Sequence, residues 1–124
     1  PMFSLNESNR YYLYPYPCDM RKSFYTLSGL VTNQMGMDVQ RGEAFIFINK
    51  SCTSMKILHM ECGGLVIYHM KLEQGFFHLP DMDTGQNRLK AQETFWNELV
   101  LMVQGIDTGK VKRHKRWRPD KWNL

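Results

Sequence analysis

The sequence predicts an α+β fold: an antiparallel sheet of about four to five strands with two amphipathic helices and a basic C-terminal tail. Its 124 residues suffice for one domain that buries a core of its own. Two segments repeat apolar residues at helical spacing, and several β-branched and aromatic segments lie between them. Helices segregated from an antiparallel sheet are typical of this class. We therefore expect a flexible N-terminus over 1–10, a single domain over 11–109 and the tail over 110–124.

The first elements should be a short edge strand within Tyr11–Tyr16 and then a helix. Pro15 and Pro17 lack backbone donors, so the strand is expected to end at one of them. Asp19 is a suitable N-cap for the helix, and Gly36 is a suitable left-handed C-cap. Between the two caps, one apolar stripe repeats at spacings of four, three, four and four residues: Met20, Phe24, Leu27, Val31 and Met35.

Three strands should follow as an antiparallel meander. The segments Glu43–Asn49, Met55–Met60 and Leu65–Met70 are rich in apolar and β-branched residues. Cys62-Gly63-Gly64 supplies the positive φ angles that a tight hairpin turn requires. Phe76–Leu79 is expected to add a short fourth strand to the same sheet.

A second helix is expected to begin between Thr84 and Arg88 and to end at Gly105 or Gly109. Its buried face would consist of the apolar residues at helical spacing: Leu89, Phe95, Leu99, Met102, Val103 and Ile106. Together the two amphipathic helices could cover one face of the sheet.

Positive charge is concentrated at the C-terminus. The formal net charge of the chain is +4, of which residues 110–124 contribute +6 and the first 109 residues −2. The cations of this tail are interleaved with Trp117 and followed by Trp122. Cations release counterions from phosphates and indole rings stack on bases, so this composition favours nucleic-acid contact. One alternative is that the tail docks on its own domain or on another acidic partner. Another is a solvated terminus whose charge only aids solubility.

The predicted nucleic-acid-binding residues form two groups. On the domain, a basic surface is expected from Arg21, Lys22, Lys56 and Lys71. Arg21 and Lys22 would oppose the dipole of the helix that they begin, and a broken local rule of this kind points to function. The alternative is a plain surface pair or a salt bridge to Glu73 or another acid. The second group is in the tail and comprises Lys110, Lys112, Arg113, Lys115, Arg116, Trp117, Arg118 and Lys121.

No catalytic, metal or cofactor site is predicted. His59, His69 and His78 lie on predicted strands, and none has the i, i+4 partner of a helical zinc motif. Neither a GxSxG elbow nor a GxxxxGK phosphate loop is present. The carboxylates are scattered, and nothing singles out three of them for a two-metal site. We therefore expect a protein that is not an enzyme and that has no cofactor.

The cysteines indicate a reducing compartment. Cys18, Cys52 and Cys62 are odd in number and form no CxxC pair, so we expect free thiols that serve as small buried hydrophobes in a cytoplasmic protein. No apolar run approaches the roughly 20 residues of a membrane span, and no secretory signal is visible.

Several motifs in a fixed order resemble one known family. They are Tyr12-Leu13-Tyr14, Asp19-Met20-Arg21-Lys22-Ser23-Phe24 with Leu27, Phe45-Ile46-Phe47-Ile48-Asn49, Lys56-Ile57-Leu58, Lys71-Leu72-Glu73-Gln74-Gly75-Phe76-Phe77 with Pro80, and Gly105-Ile106-Asp107 before the tail. This order resembles the TnpB accessory proteins of IS66-type bacterial insertion sequences, over roughly residues 11–118. Members of that family usually carry a basic loop where this chain has residues 50–54, and a Trp where Leu79 stands.

The resemblance implies a role in transposition beside a separate transposase. We expect a non-catalytic accessory protein that contacts DNA or the transposase complex through its basic surfaces, with DNA, the transposase and other proteins of the same element as partners and no membrane partner. The alternative is a protein-interaction module of the transposition machinery that does not bind DNA. A metal-dependent nuclease is the third class.

Overall fold

A computed structural model describes residues 5–79 and 92–104 of the chain. The predicted tail over 110–124, the loop over 81–87 and the apolar residues Leu89 and Ile106 lie outside these ranges. In chain order the elements are β1 (Tyr11–Leu13), α1 (Phe24–Asn33), a 3₁₀ turn (Val39–Arg41), β2 (Ala44–Ile48), β3 (Ser54–Glu61), β4 (Gly64–Lys71), β5 (Gln92–Thr94) and α2 (Trp96–Gln104). The predicted α+β class is confirmed.

The five strands form one mixed sheet in the order β4-β3-β2-β1-β5. Three of the four strand pairs are antiparallel, whereas β1 and β2 run parallel with Tyr11 opposite Ala44. The prediction that the first strand lies at an edge is wrong, because β1 is paired on both sides. Pro15 and Pro17 come after the strand has ended, so they remove no donor from either ladder.

The predicted meander of β2, β3 and β4 is confirmed. Each strand pairs antiparallel with the next along the chain, and the β3–β4 register closes with Glu61 opposite Gly64. The two residues of the turn, Cys62 and Gly63, have φ angles of 50° and 79°. Two positive φ angles are the signature of the type I′ turn that suits the twist of a hairpin.

The first helix begins later than the sequence predicts. Asp19 is not its N-cap: the Asp19 carboxylate accepts a hydrogen bond from the backbone N–H of Arg21 at 2.8 Å and closes a turn. Ser23 precedes the helix, and its backbone N–H donates to the Thr26 hydroxyl at 2.9 Å. Gly36 has the left-handed conformation that was predicted, with a φ of 68°. It is not the C-cap, however, because the helix ends at Asn33 and Gln34 is its C-cap.

The region after β4 differs most from the prediction. Phe76–Leu79 is not a strand; the segment crosses the core, with Phe77 and Leu79 buried and the Phe77 N–H donating to the Cys52 carbonyl at 2.8 Å. The fifth strand is instead Gln92–Thr94, which the sequence assigned to the second helix. It pairs with β1, and α2 begins only at Trp96. The predicted burial of Phe95 is wrong, because this residue is 63% exposed.

The two helices cover opposite faces of the sheet, which corrects the prediction that they share one. Leu27 and Val31 of α1 pack in a cluster with Phe45 and Phe47. The other cluster combines α2 with the opposite side of the sheet through Ala44, Ile46, Ile48, Leu99 and Met102. Alternate residues of β2 therefore belong to different cores, which explains why this strand is apolar throughout. Within the described ranges, no helix is long and apolar enough to cross a membrane.

Candidate nucleic-acid interface

The topology gathers cations at one end of the sheet. β1 and β2 run parallel, so both finish at this end, where β3 begins and α1 starts its return. β4 also finishes there, since Ser54 at the start of β3 lies opposite Lys71. We call this region the basic end, defined by Arg21, Lys22, Lys50, Lys56 and Lys71.

Lys56 lies inside the basic end rather than on its surface. The residue is only 9% exposed, and its ammonium group donates to the backbone oxygens of Met20 at 2.8 Å and Lys22 at 2.7 Å. The predicted surface position of Lys56 is therefore wrong. Its side chain crosses from β3 to the segment before α1 and occupies two carbonyls that a longer helix would use. Lys56 fixes the backbone that carries the two neighbouring cations.

Arg21 is exposed but paired. Its guanidinium contacts the Asp19 carboxylate, with the shortest distance 2.6 Å from Nη2 to Oδ2. The hydrogen bonds from Arg21 hold the pKa of Asp19 well below its usual range, so this carboxylate stays ionised. The pair is exposed to solvent and its charges largely cancel at a distance. Arg21 therefore contributes directional donors more than net charge.

Lys22 and Lys71 are the predicted cations that reach solvent without such a partner among the described contacts. Lys22 is half-buried and Lys71 is exposed. His69 lies two residues before Lys71 on β4, is exposed, and pairs across the strands with Lys56. The pKa of His69 is lowered, first by partial burial and then by the charges of Lys56 and Lys71. The two lysines thus add a smaller effect of the same sign to that of burial.

Charge is segregated between the two ends of the sheet. The described ranges contain seven Lys and Arg residues and eight Asp and Glu residues. Five of those cations lie at the basic end, accompanied by only two acids, Asp19 and Glu73. The other two cations, Arg10 and Arg41, lie towards the opposite end with the six remaining acids: Glu7, Asp38, Glu43, Glu61, Glu93 and Glu98. The described part of the chain thus has almost no net charge, but its positive and negative charges lie at opposite ends of the strands.

The family assignment follows from comparison with known proteins. The family model described as IS66 Orf2-like protein, named TnpB_IS66, matches residues 9–113. The chain belongs to this family. The resemblance expected from the motifs is confirmed, and membership associates the protein with IS66-type transposition. An uncharacterised protein of Sinorhizobium fredii, y4jC, is 29% identical over 105 residues, which cover 85% of this chain and 86% of that protein. No solved structure matches.

Two features of the basic end of this IS66 Orf2-like protein escaped sequence reasoning. Lys50 joins the cluster because the β2–β3 turn returns to this end, a placement that needs the sheet topology. Tyr25 is 91% exposed and Phe24 is 46% exposed on the first turn of α1, next to the cations. The sequence predicted that Phe24 is buried with the apolar stripe of the helix. It gave no indication of a role for Tyr25, which is not part of that stripe. A shallow depression of about 740 Å³ is lined by residues 17–20 and 49–51.

Among the described residues, His59 is the most deeply buried histidine, and its contacts stabilise the fold. His59 is buried near the opposite end, where its Nδ1 lies 2.8 Å from a Glu61 carboxylate oxygen and its Nε2 lies 3.1 Å from the Gly42 carbonyl. The Tyr68 hydroxyl donates to the same Glu61 oxygen at 2.6 Å. Over the described residues, no three His, Cys, Asp or Glu side chains come together as a metal site would require.

The remaining predicted residues are either outside the structure or differ in burial. The tail cations and Trp117 lie beyond residue 104, outside the described residues. Of the thiols, Cys18 is buried as expected and Cys52 partly so, but Cys62 is exposed at the hairpin turn. Burial raises the pKa of Cys18 and of Cys52 to about 11, so both thiols stay protonated at neutral pH.

Proposed function

We propose that this protein is a non-catalytic accessory factor of IS66-type transposition that acts in the cytoplasm and contacts DNA through the basic end of its sheet together with the C-terminal tail. The observation that carries the proposal is the segregation of charge: among the described residues, whose charges nearly cancel, five of the seven Lys and Arg residues lie at one end of the sheet. A surface of this kind attracts phosphates from a distance and orients the protein on them.

The residues of the basic end would have different roles in DNA binding. Lys22 and Lys71 would neutralise phosphates and release counterions. Such contacts do not distinguish one DNA sequence from another. Arg21, held by Asp19, would present its free N–H groups in a fixed direction. Lys56 would act from beneath, because it holds the backbone of residues 20–22 in place.

The position of α2 supports a joint surface with the tail. The His78 N–H donates to the Met102 carbonyl at 3.3 Å, and the neighbouring Phe77 is bonded to Cys52 in the turn between β2 and β3. The last turn of α2 therefore lies at the basic end of the sheet. Lys110 follows Gln104 by six residues, which span at most about 20 Å. A cationic segment that follows α2 this closely in the chain could contact the same DNA.

A second function is favoured by the exposed aromatic residues. Tyr25 and Phe24 lie beside Arg21, and tyrosine and arginine are enriched among the residues that dominate protein interfaces. The same end of the molecule could therefore hold the transposase without touching DNA. The two functions predict different partners for one surface.

Gel shift and pull-down on the same purified protein test the proposal. We expect the full chain to shift a duplex that contains the terminal repeats of the element, and the variant with both Lys22→Gln and Lys71→Gln to shift it more weakly. The matched control carries Arg10→Gln and Arg41→Gln at the opposite end and should bind like the unchanged chain. Capture of the transposase together with no shift of any DNA would instead establish the interaction module.

A further inference from the structure

The outer edge of the sheet at β4 lacks the features that keep an edge strand from pairing. β4 is eight residues long and stays in register with β3 along its whole length, without a bulge. It contains no proline, and its one Lys, Arg, Asp or Glu residue is Lys71 at the end. Natural edge strands are usually short, bulged or interrupted by charges. β5 at the other edge is of that kind, with three residues and Glu93 in the middle.

The alternation of hydrogen bonds shows which backbone groups of β4 point outwards. The Leu72 N–H donates to the Thr53 carbonyl at 2.8 Å, and the hairpin turn closes at Glu61 and Gly64. Bonds of an antiparallel ladder alternate, so the even-numbered residues of β4 bond to β3. The odd-numbered residues direct their N–H and C=O groups away from β3, and no strand of the described ranges pairs with them: Leu65, Ile67, His69 and Lys71.

We propose that β4 pairs with β4 of a second copy of this chain, antiparallel about a two-fold axis at Ile67, so that two five-stranded sheets become one. This register places Ile67 opposite Ile67 of the partner subunit and Val66 opposite Tyr68 of the partner subunit. Pairs of β-branched and aromatic residues stabilise neighbouring strands. Lys71 falls opposite the hairpin turn, so no like charges meet, and Met70, now 43% exposed, becomes covered.

The charge distribution selects a second copy in this orientation. Antiparallel pairing places the basic end of one subunit beside the acidic end of the other, on both sides of the axis. The same surface then serves both subunits, as a two-fold interface requires. A parallel arrangement would bring the two basic ends together. The dimer itself does not depend on DNA binding; if the proposed function holds, it would carry two DNA-contacting surfaces that face opposite ways.

Hydrogen exchange of the full chain without DNA tests the pairing in the unchanged protein. We expect the amides of Ile67 and His69 to become protected as protein concentration rises, in step with a dimer in sedimentation experiments. The amides of Val66 and Tyr68, which bond to β3, should be protected at every concentration. Protection of Ile67 and His69 in a monomer would mean that another segment of the same chain covers the edge, and rapid exchange at every concentration would mean an open edge. Either result overturns the proposal.

A pair of variants at one exposed position separates the backbone from the side chain. His69→Pro removes an outward N–H and no bond to β3, so we expect the dimer dissociation constant to rise by about tenfold or more. His69→Ala keeps the N–H and should dimerise within about threefold of the unchanged chain. Circular dichroism would check that both variants are folded. Equal dimerisation by two folded variants would contradict β4 pairing.

Discussion

Two lysines that look alike in the sequence have opposite roles in the fold. Lys56 and Lys71 both lie on the meander and were both expected on a basic surface. Lys56 falls on the face covered by α1 and is enclosed with two carbonyl oxygens, whereas Lys71 lies at the end of the outermost strand. The sequence identifies both as cations, but burial depends on which strand is central, and the strand order could not be inferred from spacing.

Replacing Lys56 should therefore affect stability. Lys56→Met keeps most of the side-chain volume but leaves the carbonyls of Met20 and Lys22 without their donor in a buried position. We expect a loss of about 1–3 kcal/mol in the free energy of unfolding, measured by urea denaturation. Lys71→Met is the matched control and should change it by less than about 0.5 kcal/mol. Equal effects of the two substitutions would place Lys56 at the surface after all.

His69 should make stability depend on pH. Its pKa in the folded protein lies below the ordinary value because of burial and the nearby lysines, so the unfolded chain binds a proton more readily. The stabilisation from neutral His69 is full above the unfolded pKa of about 6.5 and is lost as pH falls towards the lowered folded value. The urea midpoint should therefore fall between pH 7.5 and pH 5, and it should fall less in His69→Gln than in the unchanged chain. An identical fall would exclude this contribution.

The three thiols should differ in reactivity. Cys18 and Cys52 are shielded and their raised pKa of about 11 keeps them protonated, whereas Cys62 is exposed at a turn. We expect one thiol per chain to react rapidly with a thiol-specific reagent at pH 8 and the other two only on unfolding. Cys62→Ser should remove the rapid phase. Rapid reaction of two thiols would show that Cys52 is accessible.

At the scale of the elements, local patterns predicted the meander, the hairpin and the centre of each helix. The buried residues Leu27 and Val31 of α1 and Leu99 and Met102 of α2 were identified because helical spacing is a local property. The errors lie at Asp19, Phe76–Leu79 and Gln92–Thr94. In each case a contact far along the chain decides. The turn of Asp19 and Arg21 is held by Lys56, and Phe77 is bonded to Cys52 rather than to a neighbouring strand. Gln92–Thr94 is a strand because it pairs with the free side of β1.

The same limit explains why the helices were placed on one face. Each amphipathic helix shows that it buries a stripe, but not which side of the sheet it covers. The continuous apolar run of β2 contained the answer, because a central strand that is apolar at every position must be buried on both faces.

Core substitutions distinguish the two faces. Leu27→Ala should perturb the aromatic and methyl resonances of its own cluster, such as those of Tyr14, Phe47 and Leu58, at a cost of about 2–5 kcal/mol. Leu99→Ala should cost a similar amount but perturb the other cluster, around Leu13 and Ile48. Chemical shifts in each singly substituted protein provide the measurement. Perturbation of the same residues by both substitutions would place the helices on one face.

At the scale of the whole molecule, the organising feature is a charge separation that net charge conceals. A value of −2 over the first 109 residues predicts an almost neutral body. Within the described ranges, the fold instead sorts the charges by strand end, since residues at 20–22, 50 and 71 are distant in the chain and meet only when β1, β2 and β4 finish together. The candidate surface was thus predictable only in part. The sequence identified most of its cations, but it did not show that Lys50 joins them or that Lys56 is buried beneath them.

The most direct measurement is the salt dependence of DNA affinity for the full chain and for the variant with Lys22→Gln and Lys71→Gln. If both lysines contact phosphates of a duplex, the slope of log K against log salt should become shallower by about 0.9 for each lysine removed. Arg10→Gln with Arg41→Gln, which removes equal charge from the acidic end, should leave the slope unchanged. Equal slopes for all three proteins would contradict DNA binding by the basic end.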